Sequence, residues 1–105
     1  MKQIKVVQIG CGKISNSIMR YIEKLGGLIV GAVDINDELI GKDIGDIMET
    51  KAKNIKVNDL SRLDTILKEI KPDIAVIATL SFLNDIEENI RTCIINDVNV
   101  ITPSE

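Results

Sequence analysis

The chain has no histidine and no tryptophan, and only one tyrosine, one phenylalanine, two cysteines and two prolines. Without histidine there is no imidazole to ligate a metal or to act as a general base. No serine or cysteine has a base beside it that would make it a nucleophile. Cys11 and Cys93 form no metal or redox motif, and with no apolar leader at the N-terminus they point to a reducing, cytoplasmic setting. No apolar stretch approaches the length of a membrane span, so no membrane partner is expected. The net charge of −3 argues against nucleic acid as a partner. Asp37, Glu38, Asp43 and Asp46 read as a solvated acidic face, because a hard-cation site needs converging oxygens. No metal is expected.

What is present is a 105-residue chain, enough for one domain, with 45% hydrophobic residues arranged in alternating runs. Apolar stretches at Ile4–Ile9, Leu28–Val33, Ile74–Ala78 and Val98–Ile101 read as buried strands. A shorter one at Ile55–Val57 reads as an edge strand. Between them lie helix-period segments: Lys13–Leu25, a short one through Ile40, Ile44 and Ile47, one carrying Leu63, Ile66, Leu67 and Ile70, and one from Leu83 to Ile95. Ser61-Arg62-Leu63-Asp64 has the form of a capping box, and Pro72 ends the helix it opens. Tyr21 is expected to be partly buried. Strands alternating with helices, joined by right-handed crossovers, predict an α/β fold: a Rossmann-type, doubly wound parallel sheet of about five strands in the order 3-2-1-4-5.

The chemistry concentrates after the first strand. Gly10-Cys11-Gly12-Lys13-Ile14-Ser15 follows Val6-Val7-Gln8-Ile9 directly, and Asp34 ends the second strand close to the roughly 20-residue offset of a ribose-reading acid. Gly10 permits a tight turn, Gly12 a close backbone approach to pyrophosphate, and the following helix offers free N–H groups to an anion. Ser15 stands where a third glycine is usual, at a position that serves helix–strand packing. Ligands of such sheets bind at the carboxyl ends of the strands, which puts Gly10–Ile14, Asp34, Thr79–Ser81 and Thr102 on one rim. Ile35 follows Asp34 where an arginine would pair a 2′-phosphate, so NAD is mildly favoured over NADP, although Lys13 or Lys42 is long enough to reach a phosphate. Cys11, at a helix N-terminus, also admits a redox-sensing role if its thiol is acidified there. Gly41 and Gly45 read as close-packing positions.

Three segments resemble the amino-terminal domain of dihydrodipicolinate reductase-like dehydrogenases: Val6–Gly12, Val30–Asp34 and Ile40-Gly41-Lys42-Asp43-Ile44-Gly45-Asp46. Ala78–Leu83 and Val98–Thr102 extend the likeness over nearly the whole chain. The resemblance implies an NAD(P)-dependent oxidoreductase of amino-acid metabolism, with a deaminating diamino-acid dehydrogenase as its nearest form. It implies that Thr79, Leu80 and Ser81 meet the nicotinamide ribose and that Thr102 lies near the nicotinamide end. It also places catalytic and amino-acid-binding residues in a second domain. Residues 1–105 are then the cofactor domain, catalysing nothing alone, and a homo-oligomer is among the expected assemblies.

Two other readings fit parts of the pattern. The glycine turn, the acid and a threonine-containing loop also occur in stand-alone nucleotide-sensing domains, such as those regulating potassium uptake, where the ligand regulates and does not react. A methyltransferase is excluded by Gln8, which stands where its acid belongs, and by Ile14, where it carries a glycine.

Overall fold

The computed structural model describes residues 3–78 and 83–102; of Lys13, Ile14, Leu83, Asn84 and Asp85 it describes the backbone alone. The elements run β1 (Lys5–Ile9), α1 (Lys13–Lys24), β2 (Leu28–Asp34), α2 (Ile44–Met48), β3 (Val57–Asp59), a 3-10 turn (Leu60–Arg62), α3 (Leu63–Ile70), β4 (Ile74–Ile77), α4 (Leu83–Ile95) and β5 (Asn99–Ile101). All strand pairs are parallel, in the order β3-β2-β1-β4-β5. This is the predicted doubly wound sheet, and the order reverses between β1 and β4.

Strand residues alternate between two apolar layers. Val7 and Ile9 of β1, with Ala75 and Ile77 of β4, pack on Leu63, Ile66 and Leu67 of α3 and Cys93 of α4. On the other face Ile29 and Ala32 of β2 meet Met19 of α1 and Ile44 and Met48 of α2. Tyr21 belongs to neither layer: it is 61% exposed, contrary to the expectation of partial burial. It falls on the side of α1 turned away from Met19.

The segment 40–56 is built around one carboxylate. Asp43 caps α2 by accepting the Gly45 N–H at 2.8 Å, and it also accepts the N–H groups of Lys53 at 2.8 Å and Ile55 at 2.9 Å. These donors, Lys53 foremost, hold its carboxyl below the usual carboxylate range. Asp43 is therefore a brace and not part of a solvated acidic face. Gly45 is close-packed as expected, since a Cβ there would run into the Lys51 carbonyl. Gly41 differs. It takes φ 93°, with open space where a Cβ would be, so conformation and not packing requires it. The helix expected from Ile40 accordingly starts only at Ile44.

The capping box at Ser61 does not form. Asp59 instead accepts the Ser61 N–H at 2.9 Å and caps the 3-10 turn that leads into α3.

Candidate functional site

β1 runs straight into the glycine turn. Gly10 adopts φ 94°, open to glycine at little cost, and its N–H donates to the Val33 carbonyl at 2.8 Å. The next N–H, on Cys11, donates to Asp34 Oδ2 at 2.6 Å. Asp34 Oδ1 accepts from the N–H groups of Ile35 at 2.7 Å and Asn36 at 2.9 Å. The acid at the end of β2 and the turn after β1 are thus one bonded unit.

Gly12 is the N-cap of α1, with φ −77° and ψ −166°, an extended conformation any residue adopts. A Cβ built there meets nothing among the described residues within 4 Å. Neither backbone strain nor packing among the described residues calls for glycine at this position. The helix it opens has no side-chain cap and no acidic residue in its first turn. Its first internal bond runs from the Asn16 N–H to the Gly12 carbonyl at 3.1 Å, so the earlier N–H groups have no intrahelical acceptor. Such unpaired N–H groups carry a partial positive charge, which is what attracts a phosphate to a helix N-terminus.

Two polar residues that sequence reasoning had left without a bonding role support this turn. Ser15, buried at the third-glycine position, donates its hydroxyl to the Ala78 carbonyl at 3.1 Å and so ties α1 to the end of β4. Gln8, wholly buried in β1, donates Nε2 to the Gly10 carbonyl at 3.1 Å. The available signal was a lone amide in the apolar run Val6-Val7-Gln8-Ile9.

The remaining sequence candidates divide. Lys13 and Ile14 open α1, and Ile35 lies beside Asp34 with its side chain 69% exposed. Thr102 follows β5, exposed on the same rim but two strands from β1. Thr79, Leu80 and Ser81 lie outside the described residues. The Cys11 thiol is fully buried, and burial, helped by the nearby Asp34 charge, pushes it up to about 12. That is the opposite of the acidification a reactive redox thiol needs.

No protein-family model matches the sequence. The redox-sensing transcriptional repressor Rex of Clostridium botulinum (strain Eklund 17B / Type B) is 35% identical over 78 residues, covering 72% of this chain and 33% of the repressor. The amine dehydrogenase of Mycobacterium smegmatis superposes with a TM-score of 0.86 at 31% identity, over 96% of this chain and 30% of the enzyme. RSP, a Rex-family repressor solved with beta-NAD+ and operator DNA, superposes with a TM-score of 0.73 at 19% identity, over 98% of this chain and 45% of that one. This is the Rossmann fold, common to dehydrogenases and Rex-family repressors. The chain spans about a third of the length of the curated repressors it matches.

One expectation is overturned. Net charge had argued against any nucleic-acid partner, yet the matched relatives are transcriptional repressors and one structural neighbour holds operator DNA. The charge of these residues says nothing about the two-thirds of the repressor that lies outside the match. As for membranes, no helix among the described residues is long and apolar enough to cross one.

Proposed function

We propose that this chain is a nicotinamide-dinucleotide-binding domain with a regulatory task, reporting on NAD(H) and not turning it over. Gly12 carries the reading. Nothing among the described residues requires glycine there, which supports a ligand whose phosphates approach the N-terminus of α1. Gly10, Cys11, Gly12, Lys13 and Ile14 then form the pyrophosphate turn, with Asp34 and Ile35 on the ribose side. Thr79, Leu80, Ser81 and Thr102 serve the nicotinamide end. NAD is preferred to NADP, because Asp34 repels a 2′-phosphate and Ile35 offers it no cation. The 35% identity to a redox-sensing repressor favours the regulatory task. In the whole, cytoplasmic protein, dinucleotide occupancy governs binding to operator DNA through segments beyond these residues.

Calorimetric titration with NADH, NADPH and ADP-ribose in parallel tests the reading. Saturable NADH binding, tighter than that of NADPH, is expected. Absence of NADH binding at millimolar concentration contradicts it.

A second reading is favoured by the amine dehydrogenase, whose 31% identity extends over 96% of this chain. In it the chain is the cofactor domain of an amino-acid dehydrogenase of the dihydrodipicolinate reductase-like kind, completed by a substrate domain. Amine-dependent reduction of NAD+ by the whole protein, with release of ammonia, supports this reading over the regulatory one.

A further inference from the structure

We infer that Gln8 is a positioning residue for the turn between β1 and α1, an inference that rests on the dinucleotide reading of that turn. The Gly10–Cys11 peptide is held at both ends. Gln8 Nε2 donates to its carbonyl at 3.1 Å, and its N–H donates to Asp34 Oδ2 at 2.6 Å. A trans peptide points its C=O and N–H in opposite directions, so the two bonds grip one rigid plane from both sides. The grip matters because Gly10, at φ 94°, lacks the Cβ that would otherwise restrict rotation of this peptide.

The orientation of the amide follows from chemistry: a carbonyl accepts only from a donor, so Nε2 faces Gly10. Oε1 is then buried with no hydrogen-bond partner among the described residues. An unpaired buried oxygen is unfavourable, and methionine or leucine would fill similar space without it. What Gln8 adds over them is the bond to the Gly10 carbonyl. That bond keeps a negative dipole end turned into the protein, away from the N-terminus of α1 where an anion would approach. It also commits the Cys11 N–H to Asp34, leaving Gly12 and the first turn of α1 as the donors for a phosphate.

The test compares wild type, Q8M and Q8E in the full chain by NADH titration, thermal unfolding and amide hydrogen exchange at Cys11. Q8M keeps the volume and removes the donor. It is expected to melt at or above the wild-type temperature while NADH affinity falls about tenfold and Cys11 exchange accelerates by a similar factor. In Q8E a protonated buried carboxyl still donates to Gly10, so affinity stays near wild type at about pH 6 and falls about tenfold as the acid ionises toward about pH 9. Because the ionised acid also repels phosphate by its charge, the loss at high pH alone does not identify a donor; wild-type affinity of the neutral Q8E acid beside a weakened Q8M does, since a purely space-filling Gln8 leaves Q8M unchanged. Wild-type affinity and unchanged Cys11 exchange in Q8M overturn the inference. Failure of the wild-type chain to bind NADH overturns the dinucleotide reading instead, and Cys11 exchange in the ligand-free chain still decides the role of Gln8.

Discussion

The Cys11 N–H donates to Asp34 Oδ2 at 2.6 Å across two neighbouring strands. Through this bond the acid at the end of β2 and the turn after β1 are fixed relative to one another by the fold itself. In the proposed dinucleotide site a ligand would therefore meet a formed turn, and changes on one side of it would be felt on the other.

Replacing Gly12 with alanine separates binding from folding. The backbone there is unstrained and no described residue crowds it, so G12A is expected to melt within a degree or two of wild type, the small change of an unstrained surface substitution. Its NADH affinity should fall by about tenfold or more, because a methyl group stands where phosphate must approach. Calorimetry beside thermal unfolding checks both halves.

Gly10→Ala gives the opposite pattern. A side chain at φ 94° costs about 1–2 kcal/mol. The expected result is a lower midpoint in urea with an unchanged slope.

Asp34→Ala leaves the part-buried Cys11 N–H without its acceptor, at a cost of about 1–3 kcal/mol. NADH affinity should fall, and the preference for NADH over NADPH should narrow as the charge that repels a 2′-phosphate is removed. Parallel titrations with the two cofactors measure the ratio.

Two kinds of group set opposite ends of the pH range. Asp43 has a lowered folded pKa, so its contribution is present above the unfolded carboxylate value of about 4 and is lost as pH falls below it. D43N should melt lower than wild type at neutral pH and show a flatter decline in acid. The buried thiols run the other way, with Cys11 pushed up to about 12 and Cys93 to about 11. Their contribution is present below the unfolded thiol value of about 8.5 and is lost as pH rises toward those folded values. Neither thiol should react with a disulfide reagent near pH 8 until the chain unfolds, which a labelling time course across a urea series reads directly.

The strand order and both halves of the glycine–acid unit were legible in the sequence, because apolar runs and their spacing encode local structure and parallel topology together. Roles that depend on where a side chain points were not. Ser15 could be read as a small packing residue, but its acceptor, the Ala78 carbonyl, lies 63 positions away. Gln8 entered the sequence reading only as the residue that excludes a methyltransferase, and its partner became visible once the peptide after Gly10 had an orientation. At Asp43 the pattern suggested a helix over Gly41 and Gly45, whereas one carboxylate gathering three N–H groups outweighs weak helix propensity and reshapes the segment.

The most direct test of the account is a titration of the isotope-labelled chain with NADH, followed by amide NMR. The dinucleotide reading predicts saturable shifts at Gly12, at the first turn of α1 and at Ile35, with the amides of Gly45 and Ile55 around Asp43 unmoved. Shifts confined to the Asp43 brace, or none on the rim at millimolar NADH, would contradict it.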